Sequence, residues 1–196
     1  MALDTDIRRA PALNAVMPSG ELGMLLFILM EIMFFGGLIS AFLVLRAGGA
    51  AEWPPAGQPR LPVGVTGVNT FVLLLSGAAI GRAVAVVRKG GRSTTRWLVA
   101  AVLLGATFLM VQGVEWVRLV GFGLTMTSSL YGATFYVLIG VHGFHVAGGL
   151  VGLLVGLVRA RRGAYTSSDH EGLRLCRMYW LFVVGIWPVL YGLVYF

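Results

Sequence analysis

Residues 132–158 read GATFYVLIGVHGFHVAGGLVGLLVGLV, without one Asp, Glu, Lys or Arg. Crossing about 30 Å of hydrocarbon takes roughly 20 helical residues, so this run is long enough to span a membrane as a helix. Four more runs of this kind flank it, at about 22–45, 63–87, 97–117 and 178–196. The expected fold class is therefore all-α, a polytopic membrane helix bundle with five transmembrane helices. The domain organisation follows: residues 1–20 form a cytoplasmic N-terminal segment and residues 21–196 a single five-helix transmembrane domain. Composition agrees, since 58% of the 196 residues are apolar, 12% are charged, and mean hydropathy is +0.86. Soluble domains are nearer half apolar and a quarter charged.

The formal charge of +7 does not imply nucleic acid, because the basic residues sit in short clusters between apolar runs. Arg8, Arg9, Arg82, Arg88, Lys89, Arg92, Arg96, Arg159, Arg161, Arg162, Arg174 and Arg177 fall on one side of the five spans. Arg46, Arg60 and Arg118 fall on the other, and twelve against three places the N-terminus in the cytoplasm and the C-terminus outside. The first twenty residues lack the pattern of a cleaved signal and are read as retained. The longest connection, residues 46–62, contains Trp53-Pro54-Pro55, Gly57 and Pro59 and cannot be helical throughout. There is no internal repeat.

Small residues mark where membrane helices approach one another. Gly148, Gly152 and Gly156 recur every fourth residue, and Gly77 and Gly81 lie four apart on the second span. Trp53, Trp97, Trp116, Trp180 and Tyr195 lie near span ends and read as interfacial anchors.

Titratable groups inside a span are costly and mark sites of interest. Four qualify: Glu31, Glu115, His142 and His145. Glu31 and His145 fall near the bilayer centre, while Glu115 sits near the outer end of its span and can pair with Arg118 one turn on. At mid-membrane two arrangements are natural, a neutral Glu31 hydrogen-bonded to an imidazole or a carboxylate paired with an imidazolium. Such groups either handle protons or serve as hydrogen-bonded glue between helices that moves none. His142 and His145, at i and i+3, share a helix face. The third histidine, His170, lies in a connection far from mid-membrane, and Cys176 is the only cysteine, so a structural zinc or dinuclear copper site would need more ligands than this chain can gather, and a carboxylate-bridged site with Glu31 or Glu115 is the one metal arrangement left open. No metal and no catalytic residue is expected.

These stretches resemble subunit III of the haem–copper oxidases. Met30-Glu31-Ile32-Met33-Phe34-Phe35 is similar to that family's SE-x-MFF segment. Leu61-Pro62, Asn69-Thr70 and Leu73-Leu74-Leu75-Ser76 resemble its next helix, and Gln112-Gly113-Val114-Glu115-Trp116 its Q-x-x-E-aromatic segment. Phe135-Tyr136 through Gly140, His142-Gly143, His145-Val146 and Gly149 is similar to FY-x-x-x-G-x-HG-x-HV-x-x-G. Tyr179-Trp180, Phe182 and Trp187 match part of the closing YWHFVDVVW, although Leu181 and Val184 stand where the family often has His and Asp.

The resemblance runs from about residue 21 to the end and implies a short form equivalent to the last five of the family's seven spans. It implies a non-catalytic chain of a bacterial inner-membrane terminal oxidase that reduces oxygen to water and pumps protons. Haem and copper are then held by partner subunits I and II, and this chain stabilises the catalytic subunit and supports proton uptake. By this resemblance Glu31 is the family's buried carboxylate, with Glu115, His142 and His145 as matching polar groups. Phospholipid is a further expected ligand, with Arg159, Arg161 and Arg162 either at lipid headgroups or facing solvent as topology determinants. The alternatives are a subunit of a quinol oxidase or nitric oxide reductase, an assembly scaffold, and a stand-alone proton or cation carrier using Glu31 and the histidines.

Overall fold

A computed structural model describes residues 18–48, 53, 55, 58–91 and 93–196. Arg8, Arg9, Arg92 and most of the expected N-terminal segment lie outside the described residues. Five helices follow in order: α1 Ser19–Gly48, α2 Val63–Arg88, α3 Thr94–Gly121, α4 Leu130–Arg161 and α5 Glu171–Tyr195. Each is long and apolar enough to cross a membrane. Helix α5 starts seven residues before the expected span. Its first turns carry Glu171, Arg174 and Arg177, so hydropathy alone reads them as connection, although the backbone already satisfies its hydrogen bonds as helix.

Short turns force antiparallel neighbours. Between α2 and α3 the chain reverses at Lys89 and Gly90, where φ is +69°, a conformation that glycine adopts without a Cβ clash. Ser129 caps α4 by accepting a hydrogen bond from the Gly132 amide at 3.0 Å. Helices α2, α3, α4 and α5 close into a ring, each packed on two of the others, with α2 against α3 the most extensive pair. Helix α1 lies outside that ring against α4 and α5. Only 6% of its apolar window is buried, against 33–44% in the others, and its two buried residues are Phe35 and Phe42.

Lipid tails are as apolar as leucine, so burial gives little drive for membrane helices to associate; close packing and interhelical hydrogen bonds hold the ring instead. Ser76 on α2 donates to the Ala101 carbonyl on α3 at 2.7 Å and accepts from the Trp180 indole of α5 at 3.0 Å. Asn69 donates to the Phe108 carbonyl at 3.0 Å, and the Trp187 indole donates to Thr70 at 2.8 Å. Because α2 runs antiparallel to α3 and α5, these contacts form successive rungs.

Two of the expected interfacial anchors are interior residues. Trp180 is fully buried, slotted between Gly105 of α3 and Gly149 of α4, where an added Cβ would come within 2.7 Å of its ring at either glycine. Tyr195 is buried too, and its hydroxyl accepts a hydrogen bond from Gln112 at 3.2 Å. Position near a span end did not distinguish an indole facing the headgroups from one whose N–H is satisfied by a neighbouring helix. Of the glycines expected at interfaces, Gly77 packs closely on Val184, while Gly148, Gly152 and Gly156 have ordinary contacts near 4 Å and Gly81 has open space.

Candidate functional site

Glu31 lies near the middle of α1 and His145 near the middle of α4. The carboxylate oxygen Oε2 and the ring Nε2 are 2.9 Å apart, which joins the outlying helix to the ring at mid-depth. The other ring nitrogen, Nδ1, is 2.8 Å from the Val141 carbonyl one turn back on α4. A carbonyl can only accept, so Nδ1 carries hydrogen and the tautomer is fixed. Nε2 then either accepts from a protonated Glu31 or, as imidazolium, donates to the carboxylate. Both states share one arrangement of heavy atoms and differ by the position of one proton along the 2.9 Å contact.

The surroundings are apolar. Phe35 meets the His145 ring edge-on at 5.1 Å, and Phe34 and Phe144 stand just over 6 Å away. The Tyr179 hydroxyl donates to the His145 carbonyl at 3.3 Å, which fixes α5 against the same turn of α4. Side-chain exposure is 17% for Glu31 and 12% for His145, so the pair is shielded but still reaches the outer face of the bundle. Such a pair can store, release or relay a single proton, or clasp α1 in place.

The four titratable groups are not brought together. His142 turns inward from α4, is fully buried, and stacks on the Trp187 ring at 4.8 Å with Phe108 edge-on. Neither of its ring nitrogens has a hydrogen-bond partner among the described residues. The two histidines share a face in projection, but one addresses the ring interior and the other addresses α1, so they do not form a ligand pair. Glu115 stands apart near the end of α3, largely buried and bonded at 2.8 Å to the exposed Arg118, as the spacing suggests. No group of three or more His, Cys, Asp or Glu converges among the described residues.

Arg159, Arg161 and Arg162 are exposed at the end of α4. Arg159 lies over the Tyr165 ring at 5.6 Å, a cation–π contact. Burial pushes the Tyr165 phenol above its ordinary pKa, with the guanidinium opposing, which keeps the ring neutral beneath the cation. Among the ion pairs, one escaped the sequence: Glu21 in the first turn of α1 pairs with Arg174 of α5. An acidic residue in a helix's first turn was its one visible signal.

Comparison with known proteins adds what geometry cannot. The profile of the family described as Cytochrome c oxidase subunit III matches residues 10–196. The chain is 35% identical over 175 residues to cytochrome c oxidase subunit 3 of Synechocystis sp., covering 88% of this chain and 73% of the relative. It is 36% identical over 176 residues to that of Thermostichus vulcanus, covering 89% and 85%. With the subunit of Petromyzon marinus it shares 37% identity over 179 residues, covering 88% of this chain and 67% of the longer relative. Five membrane-spanning helices, a carboxylate–imidazole contact between the first and fourth, and a match over nearly the whole length lead to one assignment: the chain belongs to the cytochrome c oxidase subunit III family.

Proposed function

We propose that this chain is the non-catalytic subunit III of a bacterial respiratory terminal oxidase, resident in the cytoplasmic membrane with its N-terminus inside. The complex reduces oxygen to water and pumps protons, with haem and copper held by subunits I and II. The names of the relatives favour cytochrome c over quinol as electron donor.

The observation that carries this reading is the Glu31–His145 contact at mid-membrane, in a family of oxidase subunits. A single proton held between two weak bases, near the outer face of the bundle, suits a chain that supports proton delivery in a partner. It does not suit oxygen chemistry, which needs a redox centre. The α2–α5 ring supplies a rigid support for that contact, and α1, with little of its own surface buried, presents an apolar face to lipid or partner.

The test is to purify the tagged chain from its own membranes in mild detergent, record a reduced-minus-oxidised spectrum and identify what accompanies it. Haem bands with a large multi-span partner at one-to-one stoichiometry are expected, and turnover with reduced cytochrome c or with quinol then names the donor. A colourless chain isolated alone sinks the reading; proton flux in liposomes containing only this chain, abolished by Glu31→Gln, would put a carrier in its place.

A further inference from the structure

Helix α1 leans more on α5 than on α4, although its mid-span carboxyl meets α4. The 2.9 Å separation of Glu31 and His145 is therefore set by how α5 holds the other two helices. Phe27 and Phe35 lie one turn before and one turn after Glu31, on the same face of α1. The Tyr179 ring meets Phe27 at 6.0 Å, and Phe182, one turn further along α5, meets Phe35 at 6.2 Å. Glu31 is thus bracketed by two aromatic contacts from a third helix.

Of these two α5 side chains, only Tyr179 carries a polar atom, and that atom reaches α4. Its hydroxyl donates to the His145 carbonyl at 3.3 Å, an oxygen with a lone pair left over from its helical bond. Its ring lies 3.2 Å from the point where a Cβ on Gly149 would stand, so no side chain separates the phenol from the α4 backbone. Because Nδ1 of His145 is bound to the Val141 carbonyl, the imidazole cannot swivel to compensate for a shift of its own turn. Contacts between side chains on two helices keep their geometry when neighbouring groups hold both within about 0.5 Å. Hydrogen bonds with an ionised partner are the short ones, roughly 2.7–2.9 Å, so the length of this contact decides how its proton is shared.

We propose that Tyr179 is the positioning residue of the Glu31–His145 pair: it fixes the separation of carboxyl and imidazole, and through that the sharing of their proton, without touching the proton itself. The inference rests on the reading of the pair as a proton-holding contact that supports turnover in the partner. The phenol ring supplies the contact to α1 and the hydroxyl the contact to α4. Tyr179→Phe separates them, keeping the first and removing the second.

The test records nitrogen NMR of the purified complex carrying isotope-labelled histidine, in which the Nε2 resonance that moves in Glu31→Gln is that of His145. In Tyr179→Phe this resonance should leave its wild-type position toward its value in Glu31→Leu. Tyr191→Phe is the control: it loses a phenol that donates to the Val63 carbonyl at 2.8 Å, away from the pair, and should leave the resonance in place. Turnover under limiting proton supply completes a double-mutant cycle. A hydrogen bond this long lies at the weak end of its range, so Tyr179→Phe should lower turnover roughly 2-fold, and lower it no further in a Glu31→Gln background. A wild-type Nε2 resonance in Tyr179→Phe overturns the proposal even if the chain dissociates at lower temperature, because the hydroxyl would then merely hold helices together. An equal loss of turnover in both backgrounds overturns it too. A moved resonance with unchanged turnover upholds the positioning role and counts against the proton-delivery reading of the pair instead.

Discussion

Glu31→Gln should leave the complex assembled while removing the mobile proton. With Nδ1–H of His145 committed to the Val141 carbonyl, Nε2 of a neutral ring is an acceptor. A glutamine amide placed where the carboxyl stood donates to it, so the contact between α1 and α4 survives in one protonation state. Hydrogen bonds between membrane helices contribute on average about 0.6 kcal/mol and at most about 1.7, so the Gln variant should lose less than about 1 kcal/mol. Glu31→Leu instead leaves Nε2 in an apolar pocket without a partner, which costs roughly 1–3 kcal/mol. That loss falls on a helix with only two buried side chains, Phe35 and Phe42.

The assay is thermal dissociation of the purified complex, read as retention of this chain, alongside turnover. The Leu variant should release the chain at lower temperature, and the Gln variant should follow the wild type. Turnover of the Gln variant should fall far less than the ~10²-fold lost when a group acting on reacting atoms is removed, with the defect greatest where proton supply limits the rate. Infrared difference spectra should lose one protonated-carboxyl band if the neutral form of the pair is populated. If Gln proves as destabilising as Leu, the reasoning about the tautomer and the shared proton is refuted.

Two further outcomes follow from the ring. Gly149→Ala puts a Cβ 2.7 Å from the Trp180 ring and 3.2 Å from Tyr179, both held by hydrogen bonds, so overpacking should cost roughly 1–3 kcal/mol; Gly81→Ala, with open space around its Cβ, serves as control, and equal melting of the two variants would contradict the slot. His142→Phe keeps the stack on Trp187 and removes two nitrogens without partners among the described residues, so stability should change by less than about 1 kcal/mol or rise. A loss well above that in thermal dissociation would mean that the imidazole has a partner.

The parts of this protein that were legible in its sequence are those that depend on one helix at a time. Run length determined that five helices cross the membrane, and the spacing of Glu115 and Arg118 determined their pairing, because both are local along the chain. Contacts between helices depend on rotation, which an all-round apolar helix barely encodes. Thus His142 and His145, three residues apart, could not be separated into one ring facing inward and one facing α1, and Trp180 looked like an anchor at a span end.

The information that resolves these cases lies in pairs of small and large residues on different helices. Gly105 and Gly149 make room for the Trp180 ring, and Ser76 satisfies its N–H while donating to a third helix. A tryptophan in the core of a membrane bundle requires both a slot and an acceptor, and neither is visible from its own neighbours in sequence. The same reasoning explains why α1 is the helix whose chemistry was easiest to anticipate. It makes few close contacts, so its one mid-span carboxylate had few partners to choose from, and the imidazole at matching depth on α4 that faces it was the available one.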